Sequence, residues 1–174
     1  MRIVGAELRL LEADSVQVKF SHLTIPKRSM LLLSLQTDLG IEGYGEIDAG
    51  ATGVPGTIEL VCEKYLPRLM GKNPLLAGQL WEELFDLIKP LGRFRSTETY
   101  ALGAIDVALW DIIGKAAGLP LATLLGQARE AIPAYASMGY VPSSQVRERV
   151  EEAGGRGFLA VKIRLGVDFD QDRE

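Results

Sequence analysis

An antiparallel sheet carrying helices, running on into the first parallel strand-helix-strand turn of an α/β domain, is the fold class this sequence predicts. Three observations predict it. Apolar residues alternate with polar ones through the first 47 residues, three helical stripes follow between Ile58 and Ala117, and one strand, one helix and one strand succeed each other from Ile132.

The strands come first. Ala6, Leu8 and Leu10 alternate with Glu7 and Arg9, which suits a half-buried antiparallel strand, and Val16, Val18 and Phe20 repeat the period as a second one. Ser21 to Lys27 reads as a loop. Met30 to Gln36 is a third strand, Asp38-Leu39-Gly40 a turn, and Ile41 to Ile47 the returning arm of a hairpin. Residues 48–56, DAGATGVPG, read as a second loop.

Ile58, Val61, Cys62, Tyr65, Leu66 and Leu69 then fall on one helix face, with Pro67 positioned to kink the last turn and Gly71 to close it. Cys62 lies on that apolar face and reads as a core thiol rather than a nucleophile. Leu80, Trp81, Leu84, Phe85 and Ile88 make a second stripe, ended by Pro90 and Gly92. From Ala101 to Ala117 the chain is apolar almost all round, which predicts a helix buried between layers. Ser96 or Thr97 supplies its N-cap, and Gly118 with Pro120 its stop. Asp111 and Lys115, four apart, can pair on its surface; Asp106 and Asp111 both read as structural carboxylates.

Ile132 to Ser137 predicts a short strand. Ser143 caps a helix with Val146, Val150 and Ala153 inward, and Gly154, Gly155 and Gly157 return the chain to a strand over Phe158 to Leu165. Two strands cannot make a parallel sheet covered on both faces. The expectation is therefore that the chain stops early, its final VDFDQDRE being the start of a helix.

Composition narrows the function. The 174 residues carry 19 Lys plus Arg against 23 Asp plus Glu, a net charge of -4, so neither nucleic acid nor an anionic membrane surface is an expected partner. A 47% hydrophobic and 24% charged composition is that of a globular protein. One cysteine excludes an internal disulfide and a cysteine zinc cluster and suits a reducing, cytoplasmic location.

In the last strand Leu159, Val161, Ile163 and Leu165 share one face. Lys162 and Arg164 share the other, at the C-terminal end, where parallel α/β folds gather ligands. Two cations there would hold an anion. Spacing alone also allows a solvated edge strand.

ALGAIDVALWDIIGKAAGLPLATLLG (residues 101–126), then YAS, then GFLAVKIRLG (residues 157–166) resemble the mandelate racemase/muconate lactonizing enzyme group of the enolase superfamily. The GYGE stretch at residues 43–46, read as a turn, and the other segments fall in the same order. The resemblance implies an enolase-like α+β capping domain over residues 1–125: a three-stranded antiparallel sheet plus helices. Residues 126–174 would be the first β-α-β of a (β/α) TIM-type barrel, incomplete. It also implies a Mg²⁺-dependent isomerase or lyase that abstracts the proton α to a carboxylate, chemistry that belongs to the superfamily as a whole.

Lys162 matches the first lysine of the family's Lys-x-Lys pair, and Arg164 stands where the second, usual base is found. A guanidinium stays protonated and is a poor base, but it can clamp a carboxylate through two parallel hydrogen bonds. Either Lys162 acts alone or the proton leaves from the opposite face. An acid-sugar dehydratase or racemase follows as the first expectation. A muconate-type cycloisomerase, a dipeptide epimerase or a succinylbenzoate synthase is the alternative. So is a non-catalytic capping module that only binds or oligomerises.

The substrate is expected to be a small carboxylate and the protein a homo-oligomer. Ser137, Phe20 and His22 are the candidate substrate contacts. Metal ligands are expected beyond Glu174; Asp168, Asp170 and Asp172 are read as a helix start and not as a site.

Overall fold

The computed structural model describes residues 1–19, 24–48, 54–92 and 96–164. It divides into two compact units, Met1–Glu12 with Ser29–Gln127, and Ala13–Arg28 with Ala128–Glu174.

The sheet has three strands in the order β1 (Ile3–Lys19), β2 (Thr24–Thr37), β3 (Glu42–Asp48). The two strands expected at Ala6 to Leu10 and Val16 to Phe20 are one continuous strand as far as Lys19, since no Gly or Pro interrupts the chain between them. The loop expected from Ser21 is already strand at Thr24. The hairpin turn falls as expected at Asp38-Leu39-Gly40. Gly40 takes φ 73° there, while the Thr37 hydroxyl donates to Ile41 C=O at 2.9 Å and accepts from Ile41 N–H at 3.1 Å.

β2 and β3 pair antiparallel, Leu31 opposite Ile47, Leu33 opposite Gly45 and Leu35 opposite Gly43. The leucines and Ile47 are wholly buried. GYGE is therefore strand and not turn. Its glycines serve packing: a Cβ at Gly45 would collide with the backbone carbonyl of Ala104, and one at Gly43 with that of Ala108. Bare backbone on β3 lets the long helix lie directly on the sheet.

That helix is α4. Before it come α1 (Val54–Leu60), a π-helical turn (Val61–Tyr65), α2 (Leu66–Leu69) and α3 (Ala77–Phe85). Leu66 N–H reaches back five residues to Val61 C=O, a widening placed just before Pro67, whose ring would otherwise crowd the carbonyl four residues back. The buried stripe is consequently Thr57, Val61, Tyr65 and Leu69, at steps of four. Cys62 is exposed, correcting the expected core thiol: the wider turn carries it off the inner face.

α4 (Thr97–Ala117) has Ser96 at its N-cap position, without a side-chain capping bond. Leu119 N–H to Gly114 C=O, 3.1 Å, and Gly118 N–H to Lys115 C=O, 3.3 Å, close its other end. It is not buried all round. Ala101, Ala104, Ile105, Ala108 and Ile112 face the core, while Tyr100 and Val107 are 44% and 53% exposed.

Each outer strand has backbone groups bonded from outside the sheet. Ile3 donates to Lys72 C=O at 2.9 Å and accepts from Gly71 N–H at 2.8 Å. On β3, Asp111 Oδ2 accepts from Tyr44 N–H at 3.0 Å, and Lys115 Nζ donates to Glu42 C=O at 2.7 Å and to Asp111 Oδ2 at 2.7 Å. The Asp111–Lys115 pair thus covers an edge strand. Asp106 is half-buried on α4, and burial raises its carboxyl above the usual range.

In the second unit, β4 (Ala136–Tyr140) and β5 (Val161–Arg164) pair parallel, joined by α6 (Ser143–Gly155); α5 (Leu121–Leu124) belongs to the first unit. Both strands are shorter or later than expected. Ile132 is 82% and Leu159 97% exposed, outside the strands. Ser143 is the first helical residue, after Pro142, rather than the cap. Ala153 is buried, whereas Val150 is 39% exposed.

Candidate functional site

A parallel ladder positions the two cations of β5. Ala136 stands opposite Val161 and Ser137 opposite Lys162. The register then shifts, so that Gly139 meets Ile163 and Tyr140 meets Arg164. The shift is a bulge at Met138, made possible by Gly139 at φ 71°. Strand side chains alternate, and paired positions share a face. The bulge therefore brings Ser137 and Tyr140, three apart in sequence, to the face that carries Lys162 and Arg164.

Ser137 was expected at the C-terminal end of a strand ending there; it is the second residue of β4, and Tyr140 holds the end. Val161 and Ile163, on the other face, are each 36% exposed.

Lys162 Nζ lies 5.8 Å from the centroid of the Tyr135 ring, close enough for attraction between an ammonium and an aromatic face. Arg164 lies about 7 Å further along the same face, two strand residues on. Ser137, Lys162, Tyr140 and Arg164 together offer two hydroxyls and two cations. That set can bind a carboxylate bearing hydroxyl groups and pass a proton through the lysine.

Tyr135 and Tyr140 are the residues sequence reasoning missed. Gly139 inside a strand was the available signal for the bulge that recruits Tyr140. Phe20 and His22, expected in a loop near the substrate, lie outside the described residues, as do Asp168, Asp170 and Asp172.

Among the described residues no three His, Cys, Asp or Glu side chains gather as a metal site. The set holds two cations and no carboxylate, and so does not fit Mg²⁺. A groove of about 330 Å³ runs along Asp111, Gly114, Lys115 and Leu119 to Leu121, but its charged groups already bond each other and β3. No helix among the described residues is long and apolar enough to cross a membrane.

Residues 6–126 match the family model for the mandelate racemase / muconate lactonizing enzyme N-terminal domain. The chain belongs to this family. An L-Lys-D/L-Arg epimerase from Desulforapulum autotrophicum is 32% identical over 87% of this chain and 42% of its own. A D-galactonate dehydratase family member, RspA, from Cellvibrio japonicus is 35% identical over 83% of this chain and 35% of its own. The crystal structure of an enolase superfamily member from Polaromonas sp. superposes with a TM-score of 0.82 at 31% identity, covering 95% of this chain and 44% of that one. The chain thus spans less than half the length of these relatives. Its fold is the family's N-terminal capping domain, an antiparallel three-stranded sheet with helices, followed by a parallel β-α-β.

Proposed function

We propose that the protein carrying this chain is an enolase-superfamily enzyme that abstracts the proton α to a carboxylate, and that it is an acid-sugar dehydratase or racemase of the mandelate racemase group. The observation that carries the reading is the pairing of Ser137 with Lys162 and of Tyr140 with Arg164 on one face of a parallel ladder. Relatives named as an arabinonate dehydratase, from Saccharolobus solfataricus, and a D-mannonate dehydratase, from Novosphingobium aromaticivorans, support it.

In this reading Arg164 clamps the substrate carboxylate and Lys162, as the neutral amine, takes or returns the α-proton. Ser137 contacts the substrate, as do Phe20 and His22 from the cap. The cap ends near residue 125 and the barrel begins at 126. Mg²⁺, which superfamily members use to stabilise an enediolate, would be held by carboxylates outside these 174 residues. The enzyme is cytoplasmic and homo-oligomeric.

A second reading, epimerisation of a dipeptide, is favoured by the 32% identical L-Lys-D/L-Arg epimerase. The two differ in product. A panel of acid sugars and dipeptides, incubated with the full-length protein and Mg²⁺, yields loss of water from a sugar acid under the first reading and inverted stereochemistry without mass change under the second. Lys162→Ala is expected to lower kcat by about 10²- to 10⁴-fold. Undiminished turnover in that variant would remove the role given to Lys162.

A further inference from the structure

Lys162 is flanked on its own face by two groups that bias the position of its ammonium toward the same end of the strand. On one side is the Tyr135 ring, 5.8 Å from Nζ. On the other is Arg164, a like charge two residues further along the strand. Attraction to the ring's negative face and repulsion from the guanidinium both draw the ammonium away from the C-terminal rim.

The backbone beside the ring is held in place, while Tyr135 itself is 52% exposed. Ala136, which follows Tyr135, donates its N–H to Ala160 C=O at 3.0 Å, and Lys162 is two residues on from Ala160. Tyr135 also lies two residues before Ser137, the register partner of Lys162. The ring, just before the strand, lies beside the lysine's ammonium at 5.8 Å. Lys162 is exposed, and the neighbouring ring gives its ammonium a favoured partner among the rotamers it can sample.

We propose that Tyr135 is a positioning residue. Its ring holds Lys162 Nζ, in the protonated form that arises on taking the α-proton and that returns it, inward of Arg164, so that a carboxylate clamped by Arg164 presents its α-carbon, rather than its oxygens, to Nζ. The inference rests on the reading of Lys162 as the proton-transfer group. In the step it serves, the Cα–H bond breaks, its electron pair moves into the substrate carboxylate, and the proton ends on Lys162 Nζ. The new positive charge then faces the ring.

The test compares wild type, Tyr135→Phe and Tyr135→Leu in the full-length protein, using the acid that wild type turns over. Thermal melts of all three check folding. Tyr135→Leu is expected to lower kcat about tenfold with KM within about twofold, and Tyr135→Phe, which keeps the ring, to restore kcat to within about twofold of wild type. After reductive ¹³C-methylation, the Lys162 methyl resonance should show an upfield ring-current shift in wild type and Tyr135→Phe, and lose it in Tyr135→Leu. Wild-type kcat in a folded Tyr135→Leu, or a Lys162 signal without ring shift in wild type, overturns the positioning role alone. A wild type that turns over no carboxylic acid while its Lys162 signal is ring-shifted overturns the proposed function, and the catalytic meaning of the contact with it.

Discussion

At Gly45 the missing side chain is what matters. A Cβ there would meet the Ala104 carbonyl, which is backbone inside a helix and cannot swing aside. Gly45→Ala should therefore destabilise by roughly 1–3 kcal/mol, the usual cost of overpacking; a denaturant titration giving an unchanged midpoint would contradict the packing account. Tyr65 is governed by its surroundings in another way. It is wholly buried, its hydroxyl donates to Glu98 C=O at 3.0 Å, and burial, assisted by the charge of Glu98, pushes its pKa to about 12. The folded state thus favours the neutral phenol. The stabilisation is complete below the ordinary tyrosine pKa of about 10 and is lost as pH rises from there through about 12. Tyr65→Phe should lose about 1 kcal/mol at neutral pH with the hydrogen bond, and the gap to wild type should shrink between those two pH values. Equilibrium unfolding at several alkaline pH values measures this, and a gap that widens would be the wrong sign.

Among the elements, the helix before Pro67 and strand β4 are where sequence periodicity misled. The reading at 3.6 residues per turn put Cys62 inside; the π turn ending at Tyr65 moved the stripe to Thr57, Val61, Tyr65 and Leu69. Pro67 announced a disturbance but not its form, since a kink, a break or a widened turn each removes the same clash. An exposed Cys62 should react with a thiol reagent in the native protein, at a rate little changed by denaturant. Protection until unfolding would restore the core assignment. In β4 the alternation rule failed at Gly139 because a bulge resets which residues share a face. It recruited Tyr140 to the cationic side and left Ser137 near the strand's start. The Asp38-Leu39-Gly40 hairpin, α3 and α4 were legible because their signals are local: a glycine with positive φ, a stripe of apolar residues, a stop at Gly118.

For the molecule as a whole, periodicity and turn signals gave the order of the elements, while the family was named by the resemblance that the motifs around α4 and β5 carry, and the family match over residues 6–126 agrees. The order of elements depends on each residue's neighbours in sequence, through periodicity and turn chemistry. The close seat of α4 on the Gly43 and Gly45 backbone was decided only by tertiary structure. So were the cover given to the free edge of β3 by Asp111 and Lys115, the outward face of α4 at Tyr100 and Val107, and the ring beside Lys162. Each depends on which segment lies opposite. That is set by how distant backbones approach and satisfy one another's polar groups, and no local pattern in the chain encodes it.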